Sequence, residues 1–175
     1  LKMMLPVPLP LRTPHVTFVT VRLLYPALVI CALTNLTSND TFLICSWNVR
    51  GLCDADKCTD VLSELMTTKP HVTLLQESKL HDLRAPKLKS FLPRTLDQAF
   101  SLPAVGSAGG TISALNSTFF QVVSYSHLTF SSTLLLRTVV CTQPIAITNI
   151  YAPSSRSLKQ AFLSELSSIS QPDDT

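Results

Sequence analysis

A chain of 175 residues with 46% apolar and 14% charged side chains has the make-up of one core-forming domain, which excludes a disordered tail and two domains of ordinary size. Its net charge of +3 comes with no Lys- or Arg-rich run, so charge alone identifies no nucleic-acid binder. Soluble domains carry about 25% charged residues, so the shortfall implies apolar surface lying under a partner, or an incomplete chain.

The first forty residues differ from the rest. Five prolines, Pro6, Pro8, Pro10, Pro14 and Pro26, lie there, and no acidic residue precedes Asp40. Residues 16–33 are largely apolar, but Arg22 and Pro26 near the middle make a poor membrane-spanning helix. Residues 1–40 are therefore expected to stand outside the domain in poor order, with regular structure from Thr41; a membrane anchor over 16–33 is the lesser alternative.

From Thr41 the pattern becomes regular. The β-branched and aromatic run 42–49, closed by Arg50-Gly51, predicts a buried strand entering a loop. Asp54 or Asp56 caps a helix whose Cys58, Val61, Leu62 and Leu65 share one face, and Lys69-Pro70 ends it. Residues 71–77 predict a second strand, parallel to the first across the helical crossover. A polar, proline-punctuated stretch, 78–103, allows short helices near 83–92. After the Gly109-Gly110 turn signal, runs at 118–124, 133–140 and 145–151 predict antiparallel strands. Ser154 or Ser155 then caps a last helix with Leu158, Phe162, Leu166 and Ile169 on one face, closed by Pro172.

The five cysteines, Cys31, Cys45, Cys53, Cys58 and Cys141, form no regular framework, which argues against a secreted disulfide scaffold and for free buried thiols. No Cys or His pair follows Cys53 and Cys58 at zinc-ligand spacing. The sequons at Asn35, Asn39 and Asn116 matter only in a secretory setting.

Taken singly, Asn48, Glu77, Gly109-Gly110 and Tyr151 also fit strand ends, a turn and a core aromatic. Their order and surroundings say more. Trp47-Asn48-Val49-Arg50-Gly51-Leu52, Leu74-Leu75-Gln76-Glu77-Ser78-Lys79, Ser107-Ala108-Gly109-Gly110 and Asn149-Ile150-Tyr151-Ala152-Pro153-Ser154 together resemble the ordered motifs of the endonuclease/exonuclease/phosphatase family. The branch most resembled is the endonuclease of plant LINE-type retrotransposons, over roughly residues 41–171.

The resemblance implies a partial four-layer α/β sandwich of the DNase I-like kind, mixed sheets with flanking helices, with residues 41–175 as its N-terminal part. It implies DNA as partner, a nuclear location and Mg²⁺ as cofactor. Glu77 would anchor the metal, and Asn48 would orient the phosphate or a metal-bound water, serving both as catalytic residue and as ligand. Tyr151 would bond the scissile phosphate, with Arg50, Gly109, Gly110 and Asn149 as phosphate or nucleic-acid contacts. A hard cation favours such oxygen ligands and keeps several waters, and phosphodiester hydrolysis needs charge neutralised at the phosphoryl oxygens.

The family pattern continues with an Asn-Gly-Asp-x-Asn-like segment and closes on Ser-Asp-His, and neither occurs in these residues. His15, His71, His81 and His127 stand in other contexts, so none is expected to act as the base. The expectation is a C-terminally truncated, inactive remnant. Two other classes stay open: a non-catalytic module binding nucleic acid or protein through Arg50, Lys79, Lys87 and Lys89, and a membrane-tethered phosphatase of the same superfamily.

Overall fold

The computed structural model of the protein describes residues 20–25, 28–34, 41–81, 84–105, 108–138 and 144–170, with side chains from Thr41 onward except at 85, 105, 108 and 170. Nine strands and three α-helices occur among the described residues. Six strands build one mixed sheet: β1 (Thr20–Tyr25), β2 (Leu28–Thr34), β3 (Thr41–Asn48), β4 (Val72–Gln76), β5 (Gln98–Val105) and β6 (Ala108–Leu115), in the order β1-β2-β3-β4-β6-β5. Three more, β7 (Phe120–His127), β8 (Ser131–Thr138) and β9 (Pro144–Ile150), form an antiparallel meander. The mixed α/β architecture with two sheets and flanking helices agrees with the sequence expectation.

The helix α1 (Ala55–Thr68) crosses from β3 to β4, and those two strands pair in parallel with Asn48 opposite Gln76. Asp54 is its N-cap, its carboxylate accepting the Asp56 amide at 2.7 Å. Cys58, Val61 and Leu65 bury the inner face, and Lys69 stops the helix in a left-handed conformation with φ 47°. Each fully buried aliphatic side chain on such a face contributes about 1.5–3 kcal/mol.

Alternation along the strands serves two apolar layers. Cys45 and Leu75, with Ile112 and Ala114 of β6, face α1 and the 88–96 segment, where Phe91, Leu92 and Leu96 close the layer. Phe42, Ile44, Val72, Leu74 and Leu115 face the other way and meet Phe120, Leu134, Leu136 and Ile147 of the meander. The second sheet is therefore stacked on the first, and period-two side-chain reversal produces both layers from one set of strands.

The structure adds detail that the sequence pattern did not give. Among the described residues regular structure is already present at Thr20, ahead of Thr41, because β1 and β2 extend the sheet beyond β3 as an antiparallel ribbon. Within 16–33 the described residues are strands, and no helix among the described residues is long and apolar enough to cross a membrane. The stretch 78–103 holds one short helix, α2 (Ala85–Leu88), and also most of β5. Proline inside β5 is tolerated because β5 is an edge strand, where a missing donor breaks no inner ladder. Finally, Gly109 and Gly110 belong to β6 rather than to an isolated turn.

The C-terminal helix α3 (Lys159–Ser170) follows a single 3-10 turn at Arg156–Leu158, with Ser155 as N-cap. Phe162, Leu166 and Ile169 are half-buried as the helical spacing predicts, but Leu158 is exposed. Cys45 and Cys58 are buried free thiols, whereas Cys53 is free and exposed, contrary to the buried expectation. Asn116 uses its side-chain oxygen to accept the Thr118 amide in a turn, and the other two sequons lie outside the described residues, as do Pro172, Cys141 and the Cys31 side chain.

Candidate active site at the strand ends

β3 and β4 run in parallel and end side by side, so whatever follows Asn48 and Gln76 projects from one end of the sheet. In open α/β sheets ligands bind at that carboxyl end. The pairing continues past the strands: Val49 donates its amide to the Gln76 carbonyl at 3.0 Å and Leu52 to the Ser78 carbonyl at 2.8 Å. These bonds hold the 48–52 and 76–80 segments in fixed register, which is how Asn48 comes to face Glu77.

Asn48 Nδ2 donates to Glu77 Oε1 at 2.9 Å, and Asn48 Oδ1 accepts the Arg50 amide at 3.1 Å. Both ends of the amide are thereby oriented. Glu77 itself has φ 54°, Arg50 φ 54° and Lys79 φ 55°, three non-glycine residues in the left-handed region within one cluster. Each costs of order 1–3 kcal/mol, and such strain concentrates at functional sites.

Tyr151 enters from the second sheet, just beyond β9. Its amide donates to the Phe130 carbonyl at 2.9 Å, and its hydroxyl lies near enough to the Glu77 carboxylate to be influenced by it. Burial raises the phenol above its ordinary value of 10.0, and the Glu77 charge and hydrogen bond raise it further. The hydroxyl is thus a protonated donor throughout the neutral range.

Gly109 and Gly110 hold the third side. Gly110 accepts the Ser78 amide at 3.0 Å and Gly109 the Lys79 amide at 3.1 Å, with φ of 81° and 78°. A methyl group on Gly110 would collide with Ser78 Oγ and press on the Ala104 and Lys79 amides at 3.3 Å, so only glycine fits. At Gly109 a methyl group would rest on the Tyr151 ring at 3.7 Å. The pair lets backbone approach the 77–79 segment, and Gly109 lies under the tyrosine.

Of the residues singled out from sequence, Asn48, Glu77, Tyr151, Gly109 and Gly110 come together, and Arg50 stands exposed beside Asn48. Asn149 does not fit the contact role expected of it. It is 1% exposed, Nδ2 donates to the Leu75 carbonyl, the Ile112 carbonyl and Ser113 Oγ at 3.2–3.3 Å, and Oδ1 accepts Gln76 Nε2 at 2.8 Å. With its amide spent inside the protein it bridges the two sheets, two residues before Tyr151, and has nothing left to offer a phosphate.

Sequence reasoning missed three positioning groups. Gln76, also bonded to Ser46 Oγ at 3.2 Å, is the sheet-side half of the Asn149 bridge. A long amide on the inner face of an apolar strand was the available signal. Ser78 is buried beneath Gly110. Glu165 of α3 accepts the Thr129 and Phe130 amides at 3.0 Å and Ser131 Oγ at 2.6 Å, fixing the turn whose Phe130 carbonyl holds Tyr151. An acid inside the apolar stripe of that helix was the mark to read.

The donor set suits a hydrated hard cation held by one carboxylate. Asn48 directs both polar ends to protein partners, so Glu77 would be the main oxygen ligand of such a cation. No cluster of three or more His, Cys, Asp or Glu suited to a metal occurs among the described residues. His71 lies at the other end of β4: its Nδ1 accepts the Leu43 amide at 2.9 Å and burial lowers its pKa. His127 ends β7 and is exposed.

No family model and no curated protein matches the sequence. Solved structures do match in fold. A functionally unknown conserved protein from Enterococcus faecalis V583 aligns with TM-score 0.56 at 14% identity, over 72% of this chain and 59% of that one. The 2',3'-cyclic phosphatase ANGEL2, solved with adenosine-2',3'-vanadate, aligns with TM-score 0.54 at 18% identity, over 76% and 49%. TDP2 of D. rerio, solved with a single-strand DNA product, aligns with TM-score 0.51 at 18% identity, over 75% and 56%. The likeness is one of fold, a DNase I-like α/β sandwich of two sheets with flanking helices, and the chain spans roughly half of these neighbours' length.

Proposed function

We propose that these residues are the N-terminal part of a Mg²⁺-dependent endonuclease domain that nicks DNA, of plant LINE-type retrotransposon descent and nuclear in location, and that they are inactive by themselves. The observation carrying this reading is the convergence of Asn48, Glu77 and Tyr151 at the ends of adjacent strands from two stacked sheets. Its support is the ordered motif series and a fold shared with a cyclic phosphatase and a protein solved with DNA.

In this reading Tyr151 donates its phenolic hydrogen to a phosphoryl oxygen, and the exposed Arg50 together with the second Nδ2 hydrogen of Asn48, the first being donated to Glu77, orients the phosphate. Glu77 keeps its carboxylate aimed by the Asn48 amide. Glu77 would hold the Mg²⁺, which when bound would supply charge neutralisation at the phosphoryl group and activation of a water. What the described residues do not bring to this cluster is a second carboxylate or an imidazole, and catalytic groups that act as a unit fail together.

The full 175-residue chain incubated with supercoiled plasmid and Mg²⁺ is expected to bind DNA in a salt-dependent way without nicking above a Glu77→Ala control. Robust nicking that Glu77→Ala abolishes would overturn the inactivity, and no binding at low salt would overturn the DNA partner. The nucleotide sequence following the Thr175 codon tests the origin: the missing Asp and His motifs and reverse-transcriptase coding sequence are expected there, and their absence in every frame refutes it.

A further inference from the structure

The groove at the opposite end of the six-stranded sheet carries a different surface. It opens at the N-terminal end of β4, between the last turn of α1, the 89–95 segment and the 116–119 turn, and encloses about 660 Å³. Leu62, Met66, Leu92 and Phe119 make its floor, and Met66 is 59% exposed. Lys69, Lys89 and Arg94 stand around it, all exposed, with no Asp or Glu among the lining residues. None of the three cations has an ion-pair partner among the described residues. His71 closes one end, its Nδ1 engaged by the Leu43 amide.

Three cations without an ion-pair partner among the described residues, set around an apolar trough, form a surface with a definite complement. An exposed methionine beside leucine and phenylalanine accommodates apolar side chains of varied shape, and an apolar patch ringed by polar groups marks an interaction site. We propose that this groove docks an acidic amphipathic helix of a partner protein, whose apolar stripe lies on Met66, Leu92 and Phe119 and whose carboxylates meet Lys69, Lys89 and Arg94. Helix-in-groove recognition uses apolar anchors at i, i+3, i+4 and i+7, with charge on either side setting orientation and encounter rate.

A nucleic acid fits this surface less well. Its phosphates answer the three cations, but it has no apolar knob for the floor, and Phe119 meets His71 edge-on at 4.6 Å rather than offering a stacking platform. The inference does not rest on the endonuclease reading, because Asn48 and Glu77 stand at the other end of β4.

The test uses the full-length chain and a fluorescein-labelled peptide of about 16 residues carrying Leu at i, i+3, i+4 and i+7 and Glu elsewhere. Binding is expected to weaken about tenfold in Lys89→Glu/Arg94→Glu and severalfold in Met66→Asp, with circular dichroism unchanged. Lys69 is left in place because its left-handed backbone, φ 47°, makes substitution there a stability experiment. Equal affinity of the parent and both variants would overturn the proposal. So would polyglutamate of the same length binding as tightly as the amphipathic peptide, since the floor would then contribute nothing. A single-strand oligonucleotide that binds and is lost in the double variant, while the peptide does not bind, would reassign the groove to nucleic acid.

Discussion

Gln76 on β4 donates its side-chain amide to Asn149 on β9 at 2.8 Å, and this bond, buried between the sheets, fixes the residues that precede Glu77 and Tyr151 relative to each other. Glu77 follows Gln76 directly, and Tyr151 lies two residues beyond Asn149. The bridge therefore determines whether the carboxylate and the phenol meet.

Removing it leaves buried polar groups without partners. Asn149→Ala strands Gln76 Nε2 in part and withdraws a donor from the Leu75 and Ile112 carbonyls. A loss of about 2–4 kcal/mol is expected in urea unfolding, larger than for an exposed Asn. A loss below about 0.5 kcal/mol would mean that the sheets are held by their apolar layer alone.

Gly110 permits no side chain, whereas Gly109 has room for one but an unfavourable φ. Gly110→Ala is expected to cost about 2–4 kcal/mol because strain and collision with Ser78 Oγ combine, and Gly109→Ala about 1 kcal/mol from backbone strain alone. Denaturant midpoints of the two variants, measured together, decide the order. Equal midpoints would contradict the close packing of the 77–79 segment on β6.

Glu165 is the link from α3 to Tyr151. Glu165→Ala frees the Thr129 and Phe130 amides and the Ser131 hydroxyl. Hydrogen exchange at the Thr129, Phe130 and Tyr151 amides is expected to accelerate, with a stability loss of about 1–2 kcal/mol. Glu165→Gln, which keeps one acceptor oxygen, is expected to lose less. Unchanged exchange at Tyr151 would show that the turn holds without the helix.

His71 makes stability depend on acid. Its folded pKa is lowered from 6.5 by burial, so the unfolded chain takes up a proton first as pH falls. Its contribution is present above pH 6.5 and is lost progressively as pH drops through the folded value, when Nδ1 can no longer accept the Leu43 amide. Melting temperatures of the protein and of His71→Gln, measured from neutral pH downward, should converge through that window. Parallel curves would remove His71 as the cause.

The Tyr151 phenol reports on Glu77. Burial is the larger cause of its raised pKa and the Glu77 charge and hydrogen bond add to it. In Glu77→Gln the phenol is expected to titrate lower than in the parent, yet still above 10.0, as followed by ring-carbon NMR with Tyr151→Phe for assignment. No change would place the two groups apart and remove the basis of the candidate site.

Local patterns carried the central unit. The β3-α1-β4 crossover was legible because the face formed by Cys58, Val61 and Leu65, the Asp54 cap and the Lys69-Pro70 stop are all written within about one helix length. Asn48 and Glu77 followed from it, since strand ends in a parallel pair must be neighbours. β5 and β6 were not legible: Pro103 argues against a strand unless it lies at an edge, and the Gly109-Gly110 start of β6 reads as a turn. Edge position is a property of the assembled sheet. β1 and β2 likewise depend on β3 as a partner, and the buried role of Asn149 depends on sheet stacking, so neither is encoded in its own neighbourhood.

The meander leaves β9 with a strand partner on one side, β8, among the described residues, and Ile150 on it is 38% exposed. Unsatisfied backbone along such a flank recruits another polypeptide in the same extended form. Concentrated preparations are therefore expected to grow strand-to-strand oligomers before any loss of native signal, and Ala146→Lys with Ile150→Lys, two outward positions, should keep the protein monodisperse for longer.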